Sequence, residues 1–209
     1  MCRKILYKQR LLKKALSQKL QHIKETKQVD DYTSVNIYFM DESRFGLMSI
    51  HRRVLTAIGV KPLAPYQHRF DNFYLFGAFS PITGNSFLLE LPHCNTQNFQ
   101  LYLTEFSKQR PNEFKILFLD NGTFHHSKHL IIPNNIALLF LPPYSPELNP
   151  AEKIWRWLKD RLANSLFKTL DHLSEKLQSL IQKTLSPQTI TSITAYHYYI
   201  TAFIQIFNV

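Results

Sequence analysis

Residues 115–120 read KILFLD and residues 36–41 read NIYFMD: each runs about five strand-forming residues directly into an aspartate. The first run is almost wholly apolar, as is Ile136 to Leu141 (IALLFL), and such runs predict strands covered on both faces, the habit of parallel pairing. Working outward, Val35 to Met40 (VNIYFM) predicts a strand that ends at Asp41, with Phe73 to Phe79 (FYLFGAF) and Ser86 to Leu91 as two more. Ser80-Pro81-Ile82-Thr83-Gly84-Asn85 supplies turn chemistry between the last two, so these should pair antiparallel. Thr96 to Lys108, with Phe99, Leu101, Tyr102, Leu103 and Phe106, predicts a crossover helix with Thr96 or Asn95 as its N-cap. A strand meander, a crossover helix, two interior strands and later helices make an α/β domain with a mixed five-stranded sheet.

The chain has 209 residues, enough for one domain or one domain plus an extension, and it needs neither metal nor disulfide to bury a core. Cys2 and Cys94 are too few for a disulfide scaffold, and no zinc-finger spacing exists. No apolar run approaches the ~20 residues that span a bilayer, so the expectation is a soluble, cytoplasmic protein without a membrane partner. The formal charge of +10 is uneven: residues 1–28 hold nine Lys or Arg against Glu25. Within them Ile5, Leu12, Leu16, Leu20 and Ile23 recur at helical spacing, a basic amphipathic helix. It would lie along nucleic-acid phosphates, on an acidic membrane surface, or against the protein's own core with its lysines in water.

Strand ends at the carboxyl edge of an open α/β sheet are where chemistry collects, which makes Asp41 and Asp120 candidate site residues. A third candidate is Glu152, carried by LPPYSPELNPAEKIW (residues 141–155), whose prolines stiffen the connector. Asn149 reads as an N-cap with Pro150 opening the helix, so Glu152 either completes a capping box on the Asn149 N–H or faces a site. Should the three acids face one pocket, each pair about 5 Å apart costs on the order of 3 kcal/mol at an effective dielectric near 20. They would then take up protons or hold cations. Oxygen-only ligands favour Mg2+ or Mn2+, and two such ions can activate a hydroxyl and stabilise the leaving oxygen of a phosphodiester.

FMDESRFG, LDNGTFHHSK and LPPYSPELNPAEKIWRWLK closely resemble the three blocks of DDE transposases of the mariner superfamily, particularly its bacterial insertion-sequence branch. HRFDNFYLFGAFSPITGNSFLLELP resembles that branch too, so the likeness spans roughly residues 35–165. It implies an RNase H-like fold, related to retroviral integrases, with Asp41, Asp120 and Glu152 as the catalytic and metal-holding triad. Glu147 matches the family motif without being the catalytic acid. The implied activity is Mg2+-dependent cleavage at transposon ends, with two ions, followed by strand transfer into target DNA. A homodimer is implied, located at the nucleoid when bound to DNA. Relatives carry helix-turn-helix modules ahead of this domain, so sequence recognition is expected to be missing or supplied in trans. The expected organisation is 1–30 basic helix or linker, 31–168 catalytic domain, and 169–209 a C-terminal helical extension packed on the core. Competing readings are an inactive DNA-binding remnant, a general RNase H-fold nuclease and, more weakly, a small-substrate phosphohydrolase, which lacks its second acid two positions after Asp41 or Asp120.

Other residues carry blander expectations. Arg44, Arg52, Arg53, Arg69 and Lys153 are candidate DNA contacts or ordinary surface charge. Trp155 shares a helical stripe with Ile154, Leu158 and Leu162 and reads as core, while Trp157 falls off it and either stacks on a base or packs under the C-terminal helices. His125 and His126 follow Asp120 closely and either approach a metal or phosphate there or, as adjacent loop histidines more often are, serve as surface or packing residues. Leu170 to Leu185 predicts an amphipathic helix, and the end from Thr189 is ambiguous between helix and strand.

Overall fold

Strand β4 (Glu113–Leu119) is buried along its whole length, as its unbroken apolar run requires. In the computed structural model, which describes residues 15–63 and 65–208, β4 pairs in parallel with β1 (Ser34–Gly46) on one side and β5 (Ile136–Phe140) on the other. β1 pairs antiparallel with β2 (Asn72–Phe79), and β2 with β3 (Ser86–Leu91) through the expected hairpin, giving the order β3-β2-β1-β4-β5. This mixed five-stranded sheet is the RNase H-like arrangement. At the hairpin, Gly84 takes φ +71°, a left-handed conformation that glycine adopts without steric cost.

Strand alternation sorts the core into two layers. Ile37, Phe39 and Phe45 of β1, with Phe114, Ile116 and Phe118 of β4, meet most of the helices. These are α1 (residues 15–26), α3 (Ala151–Leu162), α4 (Leu170–Thr184), α5 (Pro187–Thr194) and α6 (His197–Phe207). Tyr38, Met40, Leu117 and Leu119 point the other way, onto Phe99, Tyr102, Leu103 and Phe106 of α2 (Thr96–Lys108). Burying each of these large side chains contributes ~1.5–3 kcal/mol. Asn95 caps α2, its side chain accepting from the Asn98 N–H.

One expectation changes and two open alternatives are resolved. β1 does not end at Asp41: its pairing with β4 stops at Phe39, but β2 continues alongside as far as Gly46, so Asp41 is a mid-strand residue. The segment from Thr189 is helical, because Ser186 caps the Thr189 N–H and Pro187 presets the first turn of α5. The described part of the basic N-terminal segment lies on the protein's own core: Leu16, Leu20 and Ile23 are buried and Lys19 stays exposed. Ile5 and Leu12 lie outside the described residues. No helix among the described residues is long and apolar enough to cross a membrane.

Candidate active site

The site sits where the two central parallel strands run out. On β1, Asp41 follows Ile37 and Phe39 on the face covered by α3, and its cross-strand partner on β2 is Gly77. A Cβ on Gly77 would stand 2.6 Å from Cη2 of Trp155, so the missing side chain is what lets the indole reach the strand. Trp155 Nε1 then donates to Asp41 Oδ2 at 3.0 Å. Burial pushes the Asp41 carboxyl well above the ordinary carboxylate range, reinforced by Glu42, Glu152 and Asp120 nearby.

Asp120 is the first residue beyond β4, and its side chain is 59% exposed. Gly122 N–H donates to Asp120 Oδ1 at 2.9 Å, and His125 Nδ1 stands 2.9 Å from the same oxygen, near enough for ionic attraction but not aligned as a hydrogen bond. The Asp120 pKa is lowered, chiefly by His125 and against the opposing effect of partial burial. His125 in turn has Nε2 3.0 Å from Glu42 Oε1. Burial opposes its charge, but Asp120 and Glu42 outweigh that and lift its pKa to about 9.

Glu152 stands in the first turn of α3 and is exposed. The capping-box alternative is not what forms: the Asn149 N–H donates to Pro146 O at 2.9 Å instead. Asn149 still organises the helix start, Oδ1 accepting from Ala151 N–H at 3.1 Å while Nδ2 donates to Met40 O at 2.9 Å. That second bond ties α3 to the residue before Asp41. Tyr196, just ahead of α6, and Tyr199 within it donate to the carbonyls of Glu147 and Leu148, and Asn121 Nδ2 donates to Leu141 O, so the proline-rich loop is held from both sides.

Asp41, Asp120 and Glu152 thereby line one cleft of about 340 Å³, closed along one side by Pro142 to Pro146. The donor chemistry fits a hard divalent ion: three carboxylates and no sulfur line the cleft. Their spacing is open. Among the described residues, no three His, Cys, Asp or Glu side chains stand close enough together to hold one ion.

The remaining candidates are scattered around this cleft. Arg44 and Arg69 line a neighbouring groove of about 320 Å³ with Lys159, whose pKa is lowered by burial and opposed by Glu152 and Asp41. Arg69 also pairs with Asp71 at 2.8 Å, and Arg52 with Asp160 at 2.5 Å. Arg53 is exposed and lines a separate hollow with Arg52 and Leu63. Lys153 Nζ lies 4.2 Å from the Tyr196 ring centroid. Trp157 packs against the core with the Arg161 guanidinium 3.5 Å from its ring centroid, which favours the packing alternative. His126 stacks on Phe140 at the loop surface, whereas His125 is packed and buried against Asp120 and Glu42. Glu42 was accessible to reasoning: Tyr38, Met40 and Glu42 alternate onto the α2 face, and a carboxylate facing a core needs a partner.

An RNase H-like sheet here carries one acid within β1, Asp41, and another just past β4, Asp120. Residues 36–174 match the family model described as DDE superfamily endonuclease, and the chain belongs to that family. An uncharacterised protein of Sinorhizobium fredii (strain NBRC 101917 / NGR234), y4pE/y4sA, is 40% identical over 102 residues, 48% of this chain and 76% of that protein. Among solved structures, the pre-cleavage Mos1 transpososome matches with TM-score 0.64 at 14% identity, covering 97% of this chain and 63% of that one. The Mos1 strand transfer complex matches with TM-score 0.61 at 15% identity, over 93% of this chain and 60% of that one. The Mos1 mariner paired end complex with Mn matches at 0.60 and 16% identity, over 93% and 61%. At these identities the likeness carries the fold, and the chain spans about three fifths of the Mos1 chains it matches.

Proposed function

We propose that this chain is the catalytic core of a mariner-type transposase, cutting DNA strands at transposon ends and joining them to target DNA. The observation that carries the reading is the cleft onto which Asp41, Asp120 and Glu152 open, where the parallel pairing of β1 with β4 ends. Structural likeness to Mos1 complexes supports it, one of them solved with Mn and another with Mg.

Asp41 and Asp120 would hold one Mg2+ or Mn2+, and Asp120 or Glu152 would complete a second. Bound there, such ions would lower the pKa of an attacking hydroxyl and neutralise charge on the scissile phosphate. The chain's own part is placement. Asp41 is fixed by β1 and the Trp155 indole, Glu152 by the Asn149-anchored start of α3, and Asp120 by the turn after β4. The proline-rich wall narrows the cleft on one side, and phosphoryl transfer asks little covalent help of protein groups. Arg44, Arg69 and Lys159 in the adjoining groove give a DNA backbone positive charge next to the acids, and the overall +10 suits a polyanion. A dimer in the active complex and a location at the nucleoid follow from this reading.

The test is nicking of supercoiled plasmid by the purified chain in Mg2+. Glu152→Gln is expected to abolish nicking while leaving salt-sensitive DNA binding intact; full activity in that variant would return Glu152 to a structural role.

A further inference from the structure

Past the last residue of β4, Asp120 projects from a loop with most of its side chain in water, so packing alone does not choose its rotamer. We propose that His125, backed by Glu42, is a positioning residue for Asp120, holding that carboxylate toward the cleft. The inference rests on the reading that Asp120 helps to hold a divalent ion.

Both contacts to Asp120 fall on one oxygen: Gly122 N–H donates to Oδ1 at 2.9 Å and His125 Nδ1 approaches it at 2.9 Å. Oδ2 is thereby the oxygen left for a ligand. His125 is itself immobilised. Its side chain is 1% exposed, its ring lies 4.5 Å from that of Phe99 and 4.1 Å from that of Phe124, and its N–H donates to Gly122 O at 3.0 Å. Its other ring nitrogen meets Glu42 Oε1 at 3.0 Å, and the Glu42 side chain is 8% exposed. Among the described residues Nδ1 makes no hydrogen bond, and the Asp120 carboxylate is the charged group it faces. Gly122 leaves room for this approach, since a Cβ there would stand 3.1 Å from His125 Nδ1 and 3.2 Å from Asp120 Oδ1.

The geometry also links the two aspartates. β1 presents Asp41 on one face and Glu42 on the other, and through His125 the second of these reaches Asp120. A single strand therefore places one acid directly and the other through a buried relay of contacts. Outer partners of metal-holding carboxylates act by orientation, and their loss typically weakens metal affinity ~10–100-fold.

The experiment is Mn2+ uptake by the full chain without DNA, followed by the paramagnetic resonance signal of free Mn2+, with thermal unfolding run on every variant. His125→Ala and Glu42→Ala are expected to weaken Mn2+ affinity about 10-fold. Glu42→Gln keeps an acceptor oxygen for Nε2 and is expected to recover most of that loss. Equal or tighter binding in Glu42→Ala, or a Glu42→Gln no better than Glu42→Ala, overturns the proposal; this pair decides it alone if His125→Ala does not fold. The control is Asp120→Asn. A wild-type chain that takes up no Mn2+, or an Asp120→Asn that takes up as much, sinks the metal reading and this inference with it. Uptake lost in Asp120→Asn but unchanged in Glu42→Ala overturns the positioning role only.

Discussion

Asp41 and Asp120 stand on neighbouring parallel strands and open onto one cleft, but the protein treats them differently. Asp41 is embedded in a strand that β2 extends beyond it, half-buried under Trp155, and its ionisation is opposed by burial and by three other acids. Asp120 lies past its strand in water, and its ionisation is favoured by His125. One acid is fixed in place at an electrostatic cost, and the other is comfortable in charge but needs fixing. The cleft thus combines a rigid wall whose charge is disfavoured with an exposed one that ionises readily.

The largest effect is expected from removing either charge. Asp41→Asn and Asp120→Asn should each lose several kcal/mol of charge stabilisation in the reaction, about a thousandfold in Mg2+-dependent nicking rate. In metal-free buffer at neutral pH their stabilities should move in opposite directions. The raised Asp41 pKa means that folding weakens as pH rises above the carboxyl's ordinary value, so the neutral amide stabilises the chain. The lowered Asp120 pKa contributes stability above the ordinary value and loses it as pH falls, so Asp120→Asn destabilises it. Denaturant midpoints moving the same way in both variants would erase the contrast.

A smaller effect tests the rigid wall. Trp155→Phe removes the 3.0 Å bond to Asp41 Oδ2 while keeping most of the packing, and nicking should fall ~10–100-fold, as for other outer partners of metal-holding groups. Gly77→Ala attacks the same wall from β2. Its Cβ would overlap Trp155 Cη2 at 2.6 Å and the Phe79 ring at 2.8 Å, and overpacking of this kind costs ~1–3 kcal/mol, read as a lowered unfolding midpoint. If Gly77→Ala left both stability and nicking unchanged, the indole would not be seated by that glycine.

Much of this architecture is local in the chain and therefore legible there. The apolar runs of β4 and β5, the hairpin turn before Ser86 and the apolar spacing of α2 each state their structure within a dozen residues. That Asp41, Asp120 and Glu152 share one cleft was also expected from their positions after the apolar runs and the proline-rich connector. What sequence spacing does not carry is who stands opposite. β1 runs beyond Asp41 only because β2 pairs there, Trp155 reaches Asp41 only because Gly77 faces it, and His125 is buried by Phe99 from a distant helix. The adjacent pair His125 and His126 illustrates the limit: one side chain is buried against Asp120 and Glu42 and the other lies on Phe140, and their order in the chain does not distinguish them.

The smallest effect lies at the opposite end of β4, where Lys115 supplies a contrast to Asp120 on the same strand. Lys115 is fully buried, its Nζ donating to Arg110 O at 2.9 Å and Glu113 O at 3.2 Å. Burial lowers its pKa from 10.5 to about 8, with Glu113 opposing the shift. Between those values the unfolded chain holds a proton that the folded chain has released, so stability should rise with pH from about 8. The Tyr38 hydroxyl limits the window from above: burial and its bond to Glu113 raise its pKa from 10.0, so the unfolded phenol ionises first and stability falls again beyond that pH. Unfolding midpoints in urea should therefore climb from pH 8 to about 9, level off as the unfolded Cys94 thiol ionises while burial keeps the folded one protonated, and turn down beyond 10; Lys115→Met should remove the climb while leaving the downturn. Because Lys115 stands at the far end of the strand from Asp120, a nicking rate that followed this stability profile rather than the acids would mean that the cleft is not held independently of the sheet's other end.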